Sequence, residues 1–220
     1  MNLDNIDFYL IFDLFILLLI GMGPKIALVP FLDLTRELDG DTQRKVAQRM
    51  VQTAVTTALI LVFLGWLLMR LLHFTPGAAN IAGGIVLLLL ALHMLVSPGK
   101  DDHHEKASDR DAMQMALYPL AVPYLLNPAG IAVLVIASGD IAAGENNTLI
   151  MMIILVVLVL IMGVLDWLVF TNMDKLAKHL DPSRLAVTEA VFGILLAALA
   201  VQLMLDGLHD LGIITMLVGH

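Results

Sequence analysis

Gly21-Met22-Gly23-Pro24-Lys25 interrupts an apolar run that is otherwise long enough to cross a bilayer. Proline has no backbone N–H and its ring crowds the carbonyl four residues earlier, so Pro24 releases the carbonyl of Ile20 from helical bonding. Hydrocarbon holds no water to satisfy that oxygen. Broken backbone at membrane depth is tolerated only where protein buries it or a wet cavity borders it. Asn127-Pro128-Ala129-Gly130 does the same to the carbonyl of Tyr124 in the other half of the chain. Two such interruptions, one per half, are the best sequence pointer to a transport site between discontinuous helices.

The surroundings of the breaks decide the class of protein. Hydrophobic residues make up 60% of the chain, charged residues 15%, and mean hydropathy is +0.91. A soluble domain is about half apolar and a quarter charged, so this is a polytopic membrane protein. A span needs about 20 mostly apolar residues, and six segments qualify: Leu14 to Leu32, Val46 to Leu72, Ala78 to Val96, Leu117 to Ser138, Thr148 to Phe170 and Ala186 to Leu208. Starting the first at Leu14 leaves Asp13 at the interface and puts Pro24 about 15 Å deep. A start at Phe8 would instead leave Asp13 in hydrocarbon, at a cost of at least about 2.5 kcal/mol if unpaired.

The formal charge of -8 matters less than where the charges fall. Arg36, Arg44, Lys45 and Arg49, then Lys100, Lys106 and Arg110, then Lys175, Lys178 and Arg184 all lie on one side of the membrane. The opposite side has only Arg70. By the positive-inside rule the basic side is cytoplasmic and both termini face outward. The first residues, Met1 to Asp7, lack the cationic region of a signal peptide, and no cleavage is expected. With no cysteine, disulfides and thiolate metal sites are excluded. Asp101, Asp102, His103, His104 and Glu105 have no helical spacing to preorganise a metal. Flanked by Pro98, Gly99 and Lys100, they read as part of a solvated linker, and no metal or other cofactor is expected. Asp41 is a plausible N-cap for the second span.

The chain repeats internally. Gly84 to His93 aligns without gaps on Gly193 to Gln202, with glycine, isoleucine, alanine and the polar positions coinciding. At the same offset Asn80 falls on Glu189; Gly65-Trp66-Leu67 resembles Asp166-Trp167-Leu168, and the proline breaks fall on each other at a nearby offset. Three spans per unit invert the second unit relative to the first, the plan of many secondary transporters. The expected fold is therefore all-α, with six transmembrane helices as two inverted three-helix repeats whose first and fourth helices are broken. The single membrane domain divides into repeat one, about 14–96, a cytoplasmic linker, about 97–116, and repeat two, about 117–208.

Each polar residue in the spans has a functional and an ordinary reading. Lys25 lies near the midplane as a site residue, or snorkels to the cytoplasmic surface along its stem. Asp166 and Glu189 are the candidates for proton coupling. Their ordinary readings are an interfacial belt beside Trp167 and a first-turn acid at a helix N-terminus. His93 and Gln202 are symmetry-related contacts to a substrate or to each other, or interhelical polar glue. Asn127 can donate and accept next to Pro128, which suits a polar or zwitterionic ligand. Gly23, Pro24, Pro128 and Gly130 complete the proposed substrate site, while Gly83, Gly84 and Gly193 read as packing. No nucleophile, nucleotide loop or carboxylate pair stands out, so no enzyme activity is expected.

Pro119-Leu120-Ala121-Val122-Pro123 followed by Asn127-Pro128 resembles the fourth span of the MarC family, also called the neutral amino acid transporter family. Gly83-Gly84-Ile85 through Ala91, Gln202 through Leu205-Asp206-Gly207, and Pro30-Phe31 with Leu34-Thr35 resemble further motifs of that family. The resemblance covers essentially the whole chain. At the first break the family's Asp-Pro-x-Gly-Asn type motif is replaced by Gly23-Pro24-Lys25-Ile26-Ala27, and Asn127 stands where a glycine is usual. The resemblance implies an inner-membrane protein and adds neutral amino acids as a substrate class. The expectation is a secondary transporter or exporter of small polar metabolites, coupled to a proton or sodium ion. Its partners are membrane lipids and solute, with homo-oligomers open and nucleic acid excluded. The alternative is a non-transporting scaffold or regulatory protein, favoured by a dry midplane with all polar groups paired internally. A water-accessible cavity at Pro24 and Pro128 would favour transport.

Overall fold

A backbone in hydrocarbon must satisfy its own hydrogen bonds, and these apolar runs do so as helices. The computed structural model describes residues 8–35, 38–96, 109–143, 148–173 and 182–214. Among them there is no strand. The first span is a pair, α1 (Phe8–Met22) and α2 (Pro24–Thr35), joined at Gly23. Then come α3 (Gly40–Leu72), α4 (Pro76–Val96), α5 (Asp109–Met115), a loosened segment (Ala116–Leu125), α6 (Pro128–Ala143), α7 (Thr148–Thr171) and α8 (Pro182–Asp210). Five helices among the described residues are long and apolar enough to cross a membrane, or six spans if the pair 112–125 and 128–142, bent by 68°, is one.

Two helix starts and one segment differ from the sequence expectation. α1 begins at Phe8, not Leu14. Phe8 to Phe12 are apolar and continue the helix ahead of Leu14, and Asp13 is exposed. α3 is capped by Asp39, not Asp41. The Asp39 carboxylate accepts from the N–H groups of Asp41 and Thr42, both at 3.1 Å. Hydrogen bonding, led by the Thr42 side chain and then its backbone N–H, holds this carboxyl below the usual aspartate value. The fourth span is also more irregular than one break predicts. Tyr118 (φ -144, ψ 127) and Val122 (φ -137, ψ 123) are extended. Each precedes a proline, whose Cδ crowds the preceding residue out of the α region. The Leu126 N–H therefore reaches back five residues to the Ala121 carbonyl, at 2.9 Å.

Two buried clusters hold the bundle. The larger joins α1, α2, α3, α6 and α7 and includes Leu18, Phe31, Met50, Leu134, Leu155 and Phe170. Within it the rings of Phe31 and Phe170 pack at 5.1 Å between centroids. The smaller joins α4 and α8 to residues just past both breaks: Ile26, Leu87, Ala91, Ala129, Leu196, Ala200 and Leu203. α4 and α8 run antiparallel along a small-residue seam. A Cβ on Gly77 would lie 2.6 Å from the Gly207 carbonyl oxygen, one on Gly84 2.7 Å from that of Ala200, and one on Gly193 3.3 Å from that of Ala91. Without a hydrophobic drive in lipid, close backbone approach of this kind is what brings helices together. The opposite faces carry exposed apolar side chains such as Phe63, Leu71, Leu89 and Leu195, as lipid contact requires.

Most of the acidic and histidine-rich linker, 97–108, lies outside the described residues, as do Arg36, Lys175 and Lys178.

Candidate functional site where the broken helices meet

The two interruptions, far apart in sequence, touch. Asn127 is fully buried and precedes α6. Its Nδ2 donates to the Ile20 carbonyl at 2.8 Å, the oxygen that Pro24 releases from α1. Its backbone N–H donates to the Gly21 carbonyl at 2.9 Å, and its own carbonyl accepts from the Ile131 N–H at 3.0 Å. Its Oδ1 accepts from the Gly130 N–H at 3.0 Å, capping α6. An amide supplies both a donor and an acceptor without carrying charge. The break in the first span is thus satisfied by the break in the fourth.

This approach needs glycine on both sides. A Cβ on Gly21 would lie 2.6 Å from the Gly130 nitrogen, and one on Gly130 would lie 2.6 Å from the Gly21 carbonyl carbon. Gly23 is buried at the joint, where a Cβ would come 3.1 Å from the Leu19 carbonyl carbon. The α4–α8 pair covers the junction: a Cβ on Gly83 would lie 3.3 Å from the Pro128 carbonyl oxygen.

Of the residues singled out in sequence, Gly23, Pro24, Asn127, Pro128 and Gly130 gather at the junction. Lys25 belongs to the same stretch but is exposed. His93 and Gln202 are exposed on α4 and α8, away from it, and the Gln202 Nε2 donates to Asp206 Oδ1 on its own helix at 2.7 Å. Asn80 Nδ2 donates to Asp210 Oδ2 at 3.2 Å. Glu189 belongs to α8, with its side chain outside the described residues. Asp166 is fully buried while Trp167 beside it is 45% exposed. Neither of its carboxylate oxygens has a hydrogen-bond partner among the described residues.

Two grooves lie elsewhere. One of about 530 Å³ is lined by Tyr9, Ile11, Phe12, Phe15 and Leu158. The other, about 310 Å³, runs between α3 and α7 and includes Gln48, Gln52, Thr56, Gly163 and Trp167. Among the described residues no three His, Asp or Glu side chains gather as metal ligands. Two features escaped the sequence reading. Gly21 was legible only as part of the break, and the Gln48-Gln52-Thr56 face shows as polar residues at helical spacing within an apolar span.

Residues 8–211 match the pattern of a family described as MarC family integral membrane protein. The chain is 27% identical over 194 residues to a UPF0056 membrane protein of Buchnera aphidicola from Acyrthosiphon pisum, covering 88% of this chain and 93% of that one. It is 27% identical to a UPF0056 membrane protein of Aquifex aeolicus, covering 90% and 91%. To the UPF0056 inner membrane protein of Escherichia coli K12 it is 22% identical, covering 88% and 93%. No solved structure matches the chain.

Proposed function

The chain belongs to the MarC family, a family of multi-pass integral membrane proteins, and from the meeting of its two broken helices we propose that it is a secondary transporter. Its cargo is a small polar metabolite such as a neutral amino acid, and it works without covalent chemistry. The observation that carries this reading is the junction itself. The Ile20 and Gly21 carbonyls of the first half and Asn127 with the start of α6 from the second converge at one buried point, and discontinuous-helix transporters hold solute at such a point. In the conformation described, Asn127 satisfies the Ile20 and Gly21 carbonyls, and we read this as the closed form. Opening would expose Asn127 Nδ2, the Ile20 and Gly21 carbonyls and the end of α6 to a zwitterion. Lys25 would meet its carboxylate from the same stretch. Asp166 or Glu189 would exchange the coupling proton, with sodium as the other ion to test.

The inverted repeat belongs to the same proposal, and the packing supports it. The sequence offset is 109 residues (193 minus 84). Shifted by it, Gly84 becomes Gly193 and Ala91 becomes Ala200, so the Gly84–Ala200 approach turns into the Ala91–Gly193 approach. Gly21 becomes Gly130, and their contact maps onto itself. A two-fold axis in the membrane plane behaves in this way. The basic residues then put both termini outside an inner membrane.

A second reading is favoured by one observation: Asn127 is fully buried with each of its polar groups used internally, as a non-transporting scaffold would have it. Flux of labelled neutral amino acids into proteoliposomes, with and without a proton gradient, separates the two. Saturable, gradient-dependent flux that is lost in Lys25→Ala, with the variant folded in the membrane, supports transport. Absence of flux from folded wild-type protein for every solute tried moves the weight to the scaffold.

A further inference from the structure

Each Asn127 donor and acceptor at the helix junction finds a partner, whereas neither Asp166 carboxylate oxygen finds one among the described residues. It lies on the buried stripe of α7 that includes Leu155, Val159, Met162 and Phe170. This face packs against α1, α2, α3 and α6. The charged residues on those elements are Asp13 of α1, Lys25 and Asp33 of α2, Asp41, Arg44, Lys45, Arg49 and Arg70 of α3, and Asp140 of α6, and all are exposed. Asp166 alone on these helices is both ionisable and buried. An ionised carboxylate without a partner in such surroundings is strongly disfavoured, so the neutral acid is the resting form. A bound metal cation would need several oxygen ligands around it, and neither Asp166 oxygen has a single hydrogen-bonding neighbour among the described residues.

A polar groove that Asp166 itself does not line runs past at the level of this acid. α3 and α7, the second and fifth spans, run antiparallel, with Gly163 of α7 against Val55 of α3, where a Cβ would meet the Val55 Cγ2 at 2.5 Å. Three residues further along α7 is Asp166, and three residues back along α3 is Gln52, so the two stand at one level. Gln48, Gln52 and Thr56, spaced four apart, line the α3–α7 groove and lead from the end that carries Arg44, Lys45 and Arg49.

We propose that Asp166 is a proton-binding site, neutral at rest, that exchanges its proton through the Gln48-Gln52-Thr56 groove with water on the side of Arg44, Lys45 and Arg49. This deepens the transport reading by choosing Asp166 over Glu189 as the coupling residue. It rests on that reading only for the use made of the proton.

Infrared difference spectra between low and high pH, recorded on the full chain in lipid vesicles, read the proton directly. A protonated-carboxyl band should be present in wild type, vanish as pH rises, and be missing in Asp166→Asn. Exchange of that band into deuterated water should slow several-fold in Gln52→Leu. A band retained in Asp166→Asn, a band indifferent to pH, loss of the band on adding sodium at fixed pH, or unchanged exchange in Gln52→Leu each overturns the proposal. If Asp166→Asn fails to fold, comparing carbon-13 aspartate labelling of wild type and Asp166→Glu makes the same assignment. A titrating band without flux of any solute refutes the transport reading and leaves this site standing. Flux without the band does the reverse.

Discussion

Asn127 and Asp166 are both polar, both fully buried and both surrounded by apolar helices, yet their surroundings treat them in opposite ways. Around Asn127 the chain breaks two helices and supplies a partner for each donor and acceptor, so the amide holds the fold together. Around Asp166 the described residues supply none. A buried polar group that is satisfied belongs to the architecture, and one left unsatisfied weakens it. The contrast therefore separates a polar residue whose groups are all answered within the closed junction from the acid proposed above as a proton site.

The comparison can be broken most forcefully at the glycine contact. Gly130→Leu would drive a side chain into the Gly21 backbone, which cannot swing aside as a side chain tip could. A loss of about 3 kcal/mol or more is expected, seen as failure to yield a monodisperse helical protein in detergent. A stable Gly130→Leu protein would mean that the two breaks do not meet. Next in size is Asn127→Ala, which strands the Ile20 carbonyl and the Gly130 N–H. It should cost about 2 to 3 kcal/mol in a denaturant titration.

Asp166→Leu should go the other way. Replacing an unpartnered buried acid by an apolar side chain of similar size is expected to raise stability by about 1 kcal/mol, while abolishing any proton-coupled flux. Destabilisation comparable to that of Asn127→Ala would show that Asp166 has a partner and would end the contrast. The smallest effect belongs to Asp39, a polar residue satisfied in water. Its folded-state value is lowered, so its contribution is present above the ordinary aspartate value and fades as pH falls through the folded one. Thermal melts of wild type and Asp39→Ala should converge at acid pH and separate slightly at neutral pH; equal melts throughout would remove the cap.

Much of the fold was legible because its cause is local. Span lengths follow from runs such as Thr148 to Phe170, and the interruptions at Pro24 and Pro128 follow from a missing N–H. The boundary errors arose where local rules compete. Asp41 and Asp39 are both plausible caps, and only the extended backbone at Asp39 (φ -67, ψ 156) decides between them. The extended residues before Pro119 and Pro123 were readable in principle from the restriction proline places on its neighbour, although a single break was expected there.

By itself, then, the sequence determined that this chain lives in a membrane, where its helices start and stop to within a few residues, and which carbonyl each proline releases. These are consequences of composition and of covalent geometry within a few residues. Only the tertiary structure decided that the Ile20 carbonyl is answered by Asn127, 107 residues away, that His93 and Gln202 face outward, and that Asp166 is buried beyond the reach of any partner among the described residues. A residue's spacing along one helix fixes which neighbours share its face, but the partner across the interface depends on how the helices pack against one another.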